Sequence, residues 1–444
     1  MRVRAVGLVP ASLVALVLFA GACDVTIRST PPSPSAASES PAALPTARPA
    51  GRVGPRSASE ALAALCRVPL DRPPKEAEPS GPTPPAIAEV ERQTSSVRGL
   101  RFLHPVPIEA VTPEEIDRRL ASSIERSLPG EAVERRTRAW QVIGVIPVDV
   151  SIREAIERFA AGQVIGFYAP QTGRLVFTGT EDPDGLERFT LSHELTHALD
   201  DQHFHLERTE RMSAHCHDEA ASAAAGAIEG SATFFSLAYA REHLSLSDLG
   251  SLLGALAEVP STTGVPPFIV AIETWPYTAG QAFTAARDAS GGTEAVNESL
   301  RHLPSTTEQI LHPEAYPQDR PTAVDVPDYG PVLGAGWADL DVMEVGEAWL
   351  SAMLALRVDQ GAAAAAAAGW DGGIYRAWSH EDRTAVVLAT AWDSEEDAAE
   401  FAAAMEQWIA GGGRPGFSVA TGSTVTSAFA TDERALALLR DATA

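Results

Sequence analysis

The stretch at residues 190–199, TLSHELTHAL, constrains this chain more than any other. It carries His-Glu-x-x-His at His193, Glu194 and His197. On a helix, residues four apart stand one above the other on the same face, so two imidazoles at that spacing grip one ion without bending the backbone. Zinc suits such a site, because it accepts neutral imidazole nitrogens and leaves a position open for water. Glu194 falls beside that water rather than on the metal, placed to take its proton. The plain competing reading is a surface helix with two unrelated histidines. The uncharged flanks Leu191, Leu195, Thr196, Ala198 and Leu199 argue against it, since they suit a buried helix. A metal-dependent peptidase is the first expectation.

The N-terminal region has the layout of an export signal. Residues 1–22 hold Arg2 and Arg4, then an apolar run that is short for a membrane span, then Ala20-Gly21-Ala22 before Cys23. The arrangement resembles a bacterial lipoprotein signal, which implies acylation of Cys23, although Ala20 stands where Leu is more usual. An uncleaved anchor, or a plain secretory signal with an incidental cysteine, is the alternative. Residues 23–57 are rich in Pro, Ser and Ala with almost no large apolar side chains, the composition of a disordered tether. The chain is therefore expected outside the cytoplasm, held to the membrane through lipid on Cys23 or secreted. Its formal charge of −25 repels nucleic acid and anionic lipid, and both are set aside as partners. With Cys23 assigned to lipid, Cys66 and Cys216 remain, and an oxidising compartment invites a disulfide between them. A metal contact by Cys216, between His215 and His217, is a weaker reading.

Helical spacing marks residues 87–98, 113–127, 132–144 and 151–161. The period then switches, and residues 163–168 and 174–178 read as a hairpin just before the motif helix at 187–204. One of these strands is a candidate to hold a substrate backbone by strand addition, and an ordinary structural hairpin is the alternative. Asp200 and Asp201 follow His197 by three and four residues. They could orient a ligating imidazole, or simply be solvated acids near a helix end.

Two residues compete for the third ligand position. Glu229 lies in the helix at 218–243, within AAAGAIEGSATFF. A carboxylate on so small-sided and apolar a surface is costly unless something positive meets it. His203, six residues after His197, matches the metzincin spacing, but Asp200 stands where that turn needs glycine. Glu229 is preferred. His-Glu-x-x-His followed by Glu229-Gly230-Ser231-Ala232 resembles the gluzincin branch of the zincin metallopeptidases, which implies that the downstream Glu is the third ligand. The interval from His197 to Glu229 is longer than in thermolysin-like members. Together with GFYAPQTGRLVF, PPFIVAIETWPYTAGQAF and PSTTEQILHPEAYP, the chain also resembles largely uncharacterised bacterial extracytoplasmic zincins over most of residues 85–390. Amide hydrolysis needs a donor for the developing oxyanion, and the candidates are His312 first, then Tyr277 and Tyr316.

The expected fold class is α+β and mostly helical: a zincin-like metallopeptidase domain at 58–325 with a small C-terminal α+β appendage at 326–444. PPFIVAIETWPYTAGQAF reads as a helix that enters a break at Trp275-Pro276-Tyr277 and continues beyond it, with Gly280 giving close packing. In the appendage, 344–358 and 394–409 read as helices, and 374–378, 384–392 and 417–431 as strands. The expected function is that of a zinc-dependent endopeptidase acting on peptide or protein substrates, with Zn²⁺ on His193, His197 and Glu229 and with Glu194 as base. The alternatives are a catalytically silent lipoprotein binding peptides or cell-wall material on the same fold, and zinc hydrolysis of a cell-wall amide.

Overall fold

The computed structural model describes residues 57–65, 82–127, 130–161, 164–209, 212, 216–257, 262–412 and 415–443. The export signal, Cys23, the tether, Cys66 and His215 lie outside them. The first part of the chain forms α1 (Ala58–Leu65), α2 (Pro85–Arg98), β1 (Ile108–Val111), α3 (Pro113–Ser127), α4 (Gly130–Ile143) and α5 (Ile152–Ala160). Next come β2 (Gly166–Ala169), β3 (Arg174–Thr178), α6 (Gly185–Phe204), α7 (Asp218–His243), α8 (Leu246–Ala257), α9 (Pro267–Arg301) and α10 (Thr307–Leu311). The last part holds α11 (Gly330–Leu333), β4 (Ala338–Glu344), α12 (Glu347–Leu354), α13 (Gln360–Ala367), β5 (Trp370–His380), β6 (Arg383–Trp392), α14 (Glu395–Gly412), β7 (Gly416–Thr421), β8 (Thr424–Ala430) and α15 (Glu433–Thr443). The class is α+β, with helices around two sheets. The smaller sheet has the order β1-β3-β2 and the larger β4-β5-β6-β8-β7.

Helix α6 begins at a capping box. The Glu187 N–H donates to Asp184 Oδ1, and the Asp184 N–H donates to Glu187 Oε2, each at 2.9 Å. His205 closes the helix in the left-handed region at φ 59°. Between these ends α6 is buried on nearly every side, so its flanks are apolar all round rather than along one stripe. The smaller sheet packs beside it. There β2 pairs antiparallel with β3 as expected, and β1 joins in parallel on the other side.

Helix α9 extends past Pro276 as expected, but without the expected break there. It continues through Pro276, and its only non-helical residues are Gly291 and Gly292. Pro276 has no N–H to return to the Ile272 carbonyl, but the turn before it keeps its helical dihedrals. Glycines let α9 lie against α7. A Cβ at Gly230 would overlap the Gly280 carbonyl, and one at Gly280 would overlap the Gly226 carbonyl.

The C-terminal sheet shares a core with the preceding helices. Trp140 on α4, Phe268 on α9 and Trp349 on α12 meet edge to face at centroid distances of 5.3 to 6.2 Å. The buried Arg136 joins the two parts through charge. Its Nη1 donates to Asp218 Oδ1 at 2.8 Å and its Nε to Asp341 Oδ2 at 3.2 Å, while the Tyr375 hydroxyl donates to the same Asp341 oxygen. Asp341 sits on β4, whose acidic ADLDVME does not read as a strand until these partners are seen. Glu344 closes that strand, and the helix expected from it begins at Glu347. The run at 417–431 is a hairpin turning at Gly422 (φ 59°), not one strand. Cys216 is disulfide-bonded. Helix α1, which ends one residue before Cys66, packs in the same apolar cluster as Cys216.

Candidate metal centre

Three buried side chains from two helices converge. His193 and His197 stand one turn apart on α6, and Glu229 reaches them from α7. The two Nε2 atoms are 3.1 Å apart, and Glu229 Oε2 lies 3.3 Å from His193 Nε2 and 3.4 Å from His197 Nε2. A tetrahedral ion bound to such donors at about 2.0–2.1 Å sets them roughly 3.3 Å apart. The triangle thus fits a divalent transition-metal ion, and two imidazoles with one carboxylate are a donor set such ions accept. Orphan atoms agree with this: Glu229 Oε1 is buried with no hydrogen-bond partner among the described residues. Among the described residues, these three form the one group of candidate ligands so gathered.

Burial and the neighbouring charges pull the proton affinities of the cluster in opposite directions. Burial opposes charge on His197, but the carboxylates of Glu229 and Glu194 outweigh it and lift that imidazole to about 9. Burial lowers His193. Burial alone would raise Glu229, yet His197 and His193 hold it below the usual carboxylate range. Glu194, wholly buried beside them, is pushed up to about 8 by desolvation despite the attraction of His197. Its Oε2 accepts a 2.7 Å hydrogen bond from the Tyr168 backbone N–H on β2, and its Oε1 has no partner among the described residues.

The surrounding shell differs from the expected one. His197 Nδ1 has no hydrogen-bond partner among the described residues, so neither Asp200 nor Asp201 orients that ring directly. Asp200 instead ties three helices together. It accepts from Arg98 Nε on α2 and from Ser231 Oγ on α7, both at 2.7 Å, and Ser231 lies two residues beyond Glu229. Arg98 is fully buried with its guanidinium 4.5 Å over the Phe235 ring. Asp201 accepts from the Tyr168 hydroxyl at 2.8 Å and from the Leu206 N–H.

The remaining candidates separate clearly. Helix α6 runs unbroken through Asp200, so His203 is carried away from the centre to a half-buried position where its Nε2 lies 2.8 Å from the Arg101 carbonyl. Tyr277 is beside the centre, its ring stacked 6.2 Å from that of His193 at 28°. His312 shares no hydrogen bond, ion pair or ring contact with the centre; its Nε2 is 2.9 Å from Glu347 Oε1, and that contact first, against some burial, raises its pKa. The Tyr316 hydroxyl donates to the His302 carbonyl at 2.6 Å, so it is used elsewhere. The sequence reading did not single out Tyr168, Arg98 or Ser231. Arg98 ends its helix and reads as a solvated C-terminal cation, and only Ser231, beside Glu229, had a local signal.

A cleft of about 790 Å³, its open mouth included, meets the centre at Glu229 from the α7–α9 side and is lined also by Tyr277, Glu273, Trp275, Trp140 and Trp349; His193, Glu194 and His197 are not in its lining.

Residues 338–443 match a family described as a domain of unknown function (DUF8575). No curated protein and no solved structure matches the chain. The matched region holds β4 to α15 and none of the three candidate ligands.

Proposed function

We propose that this chain is a zinc-dependent endopeptidase of the zincin type, in its gluzincin branch, exported and tethered through lipid on Cys23. The single observation that carries the reading is the triangle of His193 Nε2, His197 Nε2 and Glu229 Oε2, 3.1–3.4 Å on each side, with Glu194 on the same helix. A zinc ion held by these three residues supplies a Lewis acid and a water acidified toward neutral pH. Glu194 handles the proton. Its unpartnered oxygen takes it from the attacking water and returns it to the departing amine nitrogen, while the Tyr168 N–H steadies the other oxygen. Tyr277, beside His193 and in the cleft wall, is the donor for the developing oxyanion. Strand β2 has one neighbour in its sheet among the described residues, and with the Tyr168 N–H engaged by Glu194 only the groups left on that edge could meet a substrate backbone. Arg136 links β4 to the first residue of α7, so the C-terminal sheet steadies the helix that carries Glu229.

The test compares zinc per chain and cleavage of casein or a peptide library between wild type and Glu194→Gln. One zinc per chain in both, with cleavage only in wild type, is the expected result. Cleavage that survives the substitution removes Glu194 from the mechanism. Bound metal with no cleavage by either form replaces the peptidase by a binding protein on the same site.

A further inference from the structure

The cleft beside the metal centre has an uneven charge. Glu219, Glu229, Glu273 and Glu344 line it, and none of its lining residues is Lys or Arg. Three of these carboxylates have partners. Glu229 meets the two histidines, Glu219 accepts from the Thr307 N–H and hydroxyl, and Glu344 lies 3.7 Å from His217 Nδ1. Glu273 is different. Among the described residues it has neither a hydrogen bond nor an ion pair; it is half-buried, and desolvation pushes its carboxyl up to about 7. The part of it that stays accessible opens on the cleft. A half-buried carboxylate that no protein group pairs is open to a cation entering the cleft.

A further feature of the same lining suits a cation. Trp275, Tyr277, Trp140 and Trp349 supply aromatic surface, which attracts organic cations through the ring quadrupole. Position relative to the chemistry follows from helix geometry. Glu273 and Tyr277 are four residues apart on α9, so they share a face about 6 Å apart along the axis. Tyr277 is the residue stacked on His193. A group held at Glu273 therefore lies about one side-chain length from the reacting bond. The chain's net charge of −25 favours the approach of such a ligand.

We propose that Glu273, with the aromatic wall of the cleft, forms a subsite for an organic ammonium or guanidinium group of the substrate, so that the enzyme selects peptides carrying a basic group next to the cleaved bond. This rests on the peptidase reading for the identity of the substrate but not for the existence of the subsite. Binding rather than turnover is therefore the readout.

Zinc-loaded, full-length Glu194→Gln protein is titrated calorimetrically with acetyl-Ala-Ala-Xaa-Ala-Ala-amide, where Xaa is Arg, Lys, citrulline or norleucine, and with the same peptides left unblocked at the N-terminus. The Arg and Lys peptides should bind about tenfold tighter than their neutral counterparts. Adding Glu273→Gln should bring that ratio to about one, and Glu273→Asp should keep part of it. A gain confined to unblocked peptides, and abolished by Glu273→Gln, assigns the subsite to the substrate α-amine instead of a side chain. Equal affinity for charged and neutral peptides, no measurable binding of the basic ones, or a ratio that persists in Glu273→Gln overturns the proposal. Zinc content and circular dichroism check that the variants fold, and the Arg-to-citrulline ratio in the parent protein decides the matter if they do not. Cleavage by wild type without any basic preference sinks the subsite and leaves the peptidase. A basic preference in binding with no cleavage by wild type does the reverse.

Discussion

At the scale of single residues, the centre depends on how two carboxylates are used. Glu229 is the one negative donor facing two imidazoles, and its neutral replacement in Glu229→Gln keeps the shape but not the charge. Zinc affinity should fall by more than the roughly 10–100-fold expected when an outer partner of a ligand is lost, as read by competition with a chromogenic chelator. Asp200 acts further out: it touches no ligand but, standing on α6, accepts from Ser231 on α7 and from Arg98 on α2, so it ties the two ligand helices together. Ser231→Ala removes one of those bonds and leaves a buried carboxylate oxygen short of a donor. The expected cost is about 1–3 kcal/mol of unfolding free energy, measured by denaturant titration. Metal affinity should drop about tenfold with it. An unchanged affinity in Ser231→Ala would show that Glu229 is held by the packing of α7 and not by this bridge.

At the scale of elements, legibility in the sequence follows locality. The motif helix, the hairpin before it and the small-sided helix bearing Glu229 were all readable, because spacing, capping residues and turn residues are local signals. So was the meeting of His193, His197 and Glu229, since a lone acid among Ala and Gly signals a missing positive partner. What escaped is set by residues far away in the chain. Strand β4 hides behind Asp339 and Asp341 until Arg136 and Tyr375 are brought to it, and Arg98 looks like a solvated helix end until Asp200 covers it. Pro276 reads as a break between two helical stretches, yet α9 passes through it unbroken because only one hydrogen bond is at stake and α7 braces it on one side. That bracing is testable. Gly230→Ala sets a methyl group against the Gly280 carbonyl, so α7 and α9 must separate. Overpacking of this kind costs about 1–3 kcal/mol, and because Glu229 is the adjacent residue, zinc should be lost together with stability. Gly254→Ala on α8 is the control: its Cβ meets nothing within 4 Å, so helix propensity alone should raise stability by less than about 1 kcal/mol. Equal effects of the two substitutions on melting temperature and zinc content would mean that the close approach of α7 to α9 is not what places the ligand.

At the scale of the whole molecule, excess acidity leaves several carboxyls buried without enough cations to pair them. Burial pushes Asp218 up to about 6 despite Arg136, and Glu219 up to about 7 despite its bonds from Thr307. Glu308 rises to about 9, through burial first and then through a hydrogen bond shared with Asp319. A carboxyl whose pKa is higher folded than unfolded stabilises the fold fully below its unfolded value and loses that contribution as pH rises through the folded one. For these groups the loss runs from about pH 4–5 up to 6, 7 and 9 in turn. His312, raised by Glu347, acts in the same sense, because its contribution is complete below the ordinary histidine value and fades as pH climbs above it. Self-repulsion of the net negative charge adds to the trend. The zinc-saturated protein should therefore melt about 5 °C lower at pH 8.5 than at pH 5.5. Glu308→Gln cannot ionise but still offers a donor to Asp319, so it should shrink that difference by raising the melting temperature at pH 8.5 more than at pH 5.5. Differential scanning calorimetry at the two pH values, with and without the substitution, decides the point. A profile that is flat in wild type, or as steep in Glu308→Gln as in wild type, would show that paired carboxylates elsewhere, such as Glu109 held low by Arg119, govern the response to pH instead.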